Sequence, residues 1–155
     1  MALIISLGSN IGNRLENLKQ AKKFLSEKLE LKSQSRVYRS PAVDYLDQPE
    51  FLNQVLQFKI PNISPQECLQ ILLSIEVKMG RIRKISKGPR VIDIDLLFWS
   101  IDTIDSPNLE VPHPRLFQRS FIVLPLKELP IFETLSSKFD FPSQFCNEAF
   151  PLDNV

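Results

Sequence analysis

The chain has 155 residues, of which 43% are hydrophobic, and a formal net charge of +1. That suits one domain over 1–155 that buries most of its apolar surface, and it argues against a protein that coats nucleic acid along a whole basic face. No apolar run is long enough for a membrane span, and Ala2 to Leu7 opens directly as a strand, not as a charged-then-apolar leader, so a cytoplasmic protein is expected.

In chain order, Ala2 to Leu7 is a short apolar strand that Gly8-Ser9-Asn10 turns into a helix capped by Asn13. Leu15, Leu18, Ala21, Leu25 and Leu29 recur at helical spacing, so this face meets a sheet. A second strand is read over Ser33 to Ser40, and a loop from Pro41 to Pro49 leads into a third from Phe51 to Ile60. Alternation puts Leu52, Leu56, Phe58 and Ile60 on its core side and Phe51, Asn53 and Val55 on the other. Ser64-Pro65-Gln66-Glu67 is a capping box with proline at the first helical position; Cys68, Ile71, Ile75 and Met79 follow as an apolar stripe, and Gly80 ends the helix. A strand around Asp93 and Asp95 comes next, then a Pro-rich connection from Asp105 to Pro114, and Leu116 to Leu129 with mixed helical and extended character. The two cysteines, Cys68 and Cys146, have no zinc-site or disulfide spacing and read as inert thiols. The order βαββαβ with C-terminal additions predicts an α+β, ferredoxin-like sandwich: an antiparallel sheet with helices on one face and an open face for ligands.

The strand Val91-Ile92-Asp93-Ile94-Asp95-Leu96-Leu97-Phe98 carries the strongest chemical signal. Alternation gives Ile92, Ile94, Leu96 and Phe98 one apolar face and sets Asp93 and Asp95 together on the other, continued by Leu97 and Trp99. Two adjacent carboxylates repel and lose hydration unless a cation or donors offset the cost. Magnesium answers that need, taking a few carboxylate oxygens and leaving its other positions to water and phosphate. The competing reading is a solvated edge strand with two exposed aspartates. Just before the strand, Lys78, Arg81, Arg83, Lys84, Lys87 and Arg90 supply positive charge with no acidic residue among them, so the rest of the chain is net acidic and the basic stretch is local. A cationic loop feeding a metal-binding strand suits a polyphosphate nucleotide; a merely solvated basic loop is the alternative.

Five motifs in order then carry a resemblance: Leu7-Gly8-Ser9-Asn10; Tyr38-Arg39-Ser40-Pro41 followed by Asp47-Gln48-Pro49-Glu50-Phe51-Leu52-Asn53; Gly80-Arg81-Ile82-Arg83; Gly88-Pro89-Arg90 with Asp93-Ile94-Asp95; and Val111-Pro112-His113-Pro114-Arg115. Over most of its length the chain resembles the 6-hydroxymethyl-7,8-dihydropterin pyrophosphokinases, folate-pathway enzymes that move the β,γ-diphosphate of ATP onto the pterin hydroxymethyl group and release AMP. The resemblance implies that Asp93 and Asp95 hold two magnesium ions, and that Arg81, Arg90, Asp93 and Asp95 are the catalytic group. It implies an ATP site of Glu76, Arg81, Arg83, Lys84, Arg90, Leu96, His113 and Arg119. For the pterin it implies Ser40, Pro41, Val43, Asn53 and Asp93, with the ring between Phe51 and Phe121. Bland alternatives stand beside four of these: a solvated Glu76, a loop-capping His113 and a core role for Phe51 or Phe121. The implied partners are the two small molecules, acting on a monomer without nucleic acid or membrane. Departures from the family pattern are Ser86-Lys87 before Gly88 in a loop about one residue shorter, Pro114 where some members have Tyr, and Ser40 and Phe51 where Thr and Tyr are common.

Two rivals remain at this stage. A ferredoxin-like RNA-binding module would use sheet-face aromatics and a basic loop, but the carboxylate pair would repel a phosphate backbone. A metal-dependent nucleotidyl or phosphoryl transferase with another acceptor fits the chemistry of the aspartate strand equally well.

Overall fold

A computed structural model of the chain describes residues 1–42, 48–80 and 89–152. Strand β1 (Ala2–Ser9) leads into helix α1 (Arg14–Ser26), then β2 (Leu31–Gln34), β3 (Tyr38–Ser40), β4 (Phe51–Lys59), helix α2 (Pro65–Lys78) and β5 (Asp93–Trp99). A small hairpin follows, β6 (Ile104–Ser106) and β7 (Leu109–Val111). The chain then makes a 3-10 turn at Leu116–Gln118, helices α3 (Ser120–Leu126) and α4 (Phe132–Lys138), and a short last strand β8 (Phe150–Pro151).

The helices begin where their caps require. The Asn13 side chain accepts the backbone N–H of Glu16, and Ser64 and Glu67 close a reciprocal capping box. Helix α2 ends at Gly80, whose φ of 84° lies in the left-handed region that glycine adopts without steric penalty. The main sheet runs β5-β1-β4-β3-β8, with β2 also pairing β4, and every pairing is antiparallel. With β2 and β3 counted as one interrupted strand, this is the expected βαββαβ sheet. The interruption divides the single second strand read from sequence: Ser35 leaves the ladder, its hydroxyl accepting the N–H of Val55 while its carbonyl accepts from the Gln54 amide.

Helices α1 and α2 cover one sheet face over a core that includes Leu3, Ile5, Leu7, Leu18, Leu25, Leu56, Phe58, Leu72, Ile94 and Leu96. The opposite face is not left open along its whole length, as the sequence suggested. Helices α3 and α4 and the segment after them cover half of it, building a second core from Ala2, Ile4, Val55, Leu97, Phe98, Ile122, Leu126 and Leu135, with Phe117, Phe139 and Phe141 packed on it.

Phe98 therefore lies opposite to its expected face. Ile5 pairs with Leu96 but Ile4 pairs with Phe98, so Leu97 is an extra residue in β5. Such a bulge resets the alternation: Leu97 and Phe98 both enter the second core, and Trp99 joins the first. The Pro-rich connection contains the β6–β7 hairpin, which sequence reading missed. No helix among the described residues is long and apolar enough to cross a membrane.

Candidate active site

Three neighbouring strands change character at the same level on the half-covered face. Along β1, Ala2 and Ile4 belong to the second core, while Ser6 and Gly8 line a cleft. Along β4 the change runs from Val55 to Asn53 and Phe51, and along β5 from Leu97 to Asp95 and Asp93. The register aligns them, Ser6 with Asp95 and Val55, Gly8 with Asp93 and Asn53. Where α3 and α4 stop covering the sheet, small and polar side chains floor a cleft that is open to solvent.

Gly8 sits at the centre of that floor. A Cβ there would come within 3.2 Å of Asn53 Oδ1 and 3.6 Å of the Phe51 ring, so the bare glycine lets the Asn53 amide lie across β1. Asn53 Nδ2 donates to the Ser40 hydroxyl at 2.8 Å, and both side chains are buried. This leaves Oδ1 as the acceptor on the cleft side. Ser40, Pro41, Phe51, Asn53, Asp93 and Phe121, six of the residues expected at the pterin, all line this cleft. Val43, the seventh, lies outside the described residues, as do Arg81, Arg83 and Lys84.

Asn10 fixes the approach to the aspartate strand. Its backbone N–H donates to the Arg90 carbonyl at 3.0 Å and its Oδ1 accepts the Arg90 N–H at 2.7 Å. Its Nδ2 donates to Gln48 and to the Pro49 carbonyl. Arg90 is thereby held so that Nη1 reaches Asp93 Oδ2 at 2.7 Å, a charge-assisted bond on two largely buried side chains. Gly8 and Asn10 were read as part of the turn after the first strand, with no part in the site; Gly8 instead lies inside β1, where a glycine signals close approach.

A second pocket, ≈ 880 Å³ with much of it open, lies between α2, β5 and the β6–β7 hairpin. Leu69, Leu73 and Glu76 line it from the helix, Leu96 from the strand, and His113 from the loop after β7. Glu76 is not a solvated helix residue: it is 4% exposed, and its carboxylate accepts the Ile94 N–H at 2.7 Å. Its spacing from Cys68 and Leu72 put it in the buried stripe, a signal that helical periodicity contained. His113 Nδ1 accepts the Arg115 N–H at 3.3 Å, which leaves Nε2 to carry the proton of the neutral ring. Burial holds its pKa below the usual histidine value, helped by the charges of Arg119 and Arg115.

Asp95 lines both pockets. Arg119 lines the first cleft, its guanidinium 5.8 Å from the Phe121 ring centroid, and its charge also reaches His113. Of the described cations in the basic stretch, Arg90 faces the aspartates, whereas Lys78 turns back over the Phe24 ring of α1 at 4.0 Å. Lys78 thus belongs to the packing of two helices. Among the described residues no group of three or more His, Cys, Asp or Glu side chains gathers as a metal cage.

The antiparallel sheet thus brings two pockets together at Asp95, beside Asp93. Residues 4–130 match the family described as 7,8-dihydro-6-hydroxymethylpterin-pyrophosphokinase. The chain is 38% identical over 127 residues to the 2-amino-4-hydroxy-6-hydroxymethyldihydropteridine pyrophosphokinase of Bacillus subtilis, covering 81% of this chain and 75% of that protein. It is 41% identical over 125 residues to the protein of the same name from Aquifex aeolicus, covering 81% and 78%. Identity to the folic acid synthesis protein fol1 of Pneumocystis carinii is 39% over 129 residues, 83% of this chain, which spans only 17% of the length of that relative. A solved HPPK-DHPS in complex with substrates superposes with a TM-score of 0.64 over 90% of this chain and 42% of that one, at 15% identity, a likeness of fold. This chain belongs to the 7,8-dihydro-6-hydroxymethylpterin-pyrophosphokinase family.

Proposed function

We propose that this chain transfers the β,γ-diphosphate of ATP to the hydroxymethyl oxygen of 6-hydroxymethyl-7,8-dihydropterin, giving the pterin diphosphate and AMP in folate biosynthesis. The observation that carries the reading is Asp95, on the wall common to both pockets. Substrates bound on either side of it meet at its carboxylate. The cleft with Phe51, Phe121 and Asn53 suits a flat heterocycle with a polar edge, which gains from ring stacking and in-plane hydrogen bonds. The pocket with Leu69, Leu73 and Leu96 beside His113 suits a nucleotide base and its phosphates. The shape supports a small-molecule enzyme over the RNA-binding alternative, because the floor between the pockets is acidic.

Asp93 and Asp95 fit a hard cation that shares its remaining positions with phosphate oxygens and water. We assign two magnesium ions to them; bound there, magnesium supplies positive charge against the phosphate oxygens. The protein groups do the rest. Arg90 orients Asp93 through the Nη1–Oδ2 contact, and Asp93 accepts the hydroxymethyl proton as that oxygen attacks the β-phosphorus in line. The bond from the β-phosphorus to the α–β bridging oxygen breaks, and AMP leaves. Glu76 keeps the backbone at Ile94 in place between the two aspartates. Arg119 adds positive charge from the cleft wall, and by the resemblance Arg81, Arg83 and Lys84 do so from the 81–88 segment. The same reading carries a cytoplasmic monomer acting on small molecules.

The test follows AMP formation from ATP and magnesium with and without 6-hydroxymethyl-7,8-dihydropterin, in the intact protein and in Asp93→Ala and Asp95→Ala. Pterin-dependent AMP release that is lost in both variants, with the folded circular dichroism spectrum retained, is expected. Full magnesium-dependent turnover in Asp95→Ala would overturn the assignment.

A further inference from the structure

The family match ends at residue 130, yet the chain beyond it packs on the strand and the turn that border the cleft. Strand β8 pairs Phe150 with Arg39 and Pro151 with Tyr38, and the Leu152 N–H donates to the Val37 carbonyl at 2.8 Å, so this segment is tied to the strand that ends at Ser40. Just before β8, Asn147 reaches across to the turn between the 3-10 segment and α3. Its Oδ1 accepts the Ser120 N–H at 2.8 Å and also the Ser120 hydroxyl, and its Nδ2 donates to the Gln118 carbonyl at 3.0 Å.

These contacts bracket Arg119 from both sides in sequence. Helix α3 has no side-chain cap from its own N-terminal residue, so its first N–H groups need partners from elsewhere. Asn147 provides one to Ser120, which is 1% exposed. The residues on either side of Ser120 are Arg119 and Phe121, and both line the cleft. A turn left free to rotate would carry the guanidinium and the ring away together.

Resting on the function proposed above, we propose that Asn147 is a positioning residue for the acceptor: from outside the family match it clamps the Gln118–Ser120 turn and so sets Arg119 and Phe121 against the pterin cleft. It touches neither pocket itself. Its effect falls first on the substrate bound in the first cleft, which both Arg119 and Phe121 line, while the nucleotide pocket keeps its walls on α2, β5 and the hairpin.

The experiment measures KM for the pterin and for ATP separately in the full chain, in Asn147→Ala and in Asn147→Asp, together with amide hydrogen exchange of residues 116–126 without substrates. Asn147→Ala is expected to raise the pterin KM about tenfold and the ATP KM by clearly less, because Arg119 and Phe121 both line the first cleft whereas only the Arg119 charge reaches the phosphates. Asn147→Asp keeps the acceptor for Ser120 but sets a carboxylate oxygen against the Gln118 carbonyl, so it should still raise the pterin KM, by less than Asn147→Ala does. Equal rises in both KM values, or none, would overturn the proposal. If Asn147→Ala does not fold, Asn147→Asp decides by the same split, a larger rise in the pterin KM than in the ATP KM supporting the clamp. If the intact chain shows no pterin-dependent turnover, the proposed function fails separately, and exchange then decides the clamp: faster exchange at Ser120 and Phe121 alone supports it, unchanged exchange overturns it.

Discussion

Gly8 occupies a point where any side chain would have to displace part of the cleft floor. In Gly8→Ala the new Cβ meets the Asn53 amide at 3.2 Å, and Asn53 cannot move without loosening its bond to Ser40. The expected result is a pterin KM raised on the order of tenfold with the urea midpoint nearly unchanged, because the displacement is at a binding surface and not in the core. Steady-state kinetics with each substrate varied in turn checks this; an unchanged pterin KM would remove Gly8 from the site. His113, the chain's one histidine, gives a second prediction at this scale. Burial, with Arg119 and Arg115, lowers its folded pKa from the ordinary 6.5. The folded state then binds fewer protons than the unfolded one as pH falls past that ordinary value. The contribution is fully present above it and is lost as pH drops through the folded pKa. The urea midpoint should fall between about pH 7.5 and about pH 5 by more in the intact protein than in His113→Gln, where the titrating group is gone. Equal falls would show that His113 does not titrate differently on folding.

At the scale of elements, the helices are specified locally and the strands are not. Ser64 and Glu67 close a box using residues three apart, so the start of α2 was legible in four residues. Ser64→Ala should lower stability by about 1 kcal/mol, read as a shifted urea midpoint with an unchanged slope. A change in slope would instead mean that the first turn of α2 is structured differently in the folded or unfolded state. The β5 bulge had no comparable local mark. Asp93 and Asp95 were placed on the right face because they precede Leu97; Phe98 and Trp99, which follow it, were each assigned to the wrong one. Alternation holds only until a residue is inserted, and the insertion is decided by how β1 and the aromatic residues of the second core pack together. Glu76 shows the converse case. Its place in the stripe of Cys68 and Leu72 was readable, while its partner, the Ile94 N–H, lies eighteen residues away in sequence on another element.

The whole molecule is a sheet between two unequal covers, and the incomplete one makes the site. Phe98 links β5 to the aromatic cluster of that cover, with ring centroids 6.3 Å from Phe117, 5.5 Å from Phe139 and 6.2 Å from Phe141. Phe98→Ala should cost about 3–5 kcal/mol, seen as a large drop in the urea midpoint, since a fully buried ring leaves a cavity that its neighbours only partly refill. Loss of less than about 1 kcal/mol would mean that the second cover adds little to folding. By itself, the sequence determined the helix boundaries at Asn13 and Ser64, the antiparallel βαββαβ order, the pairing of Asp93 with Asp95 on one face, and the family to which its motifs are similar. Each of these rests on interactions between residues a few positions apart or on residue types that chemistry restricts. Tertiary structure alone decided that β1, β4 and β5 change from apolar to polar at one level and that Asp95 borders both pockets. It also decided that Asn10 holds Arg90 and that Asn147 is hydrogen-bonded to the Gln118–Ser120 turn. Those facts depend on register and on packing between distant elements, and no local propensity or spacing encodes either one.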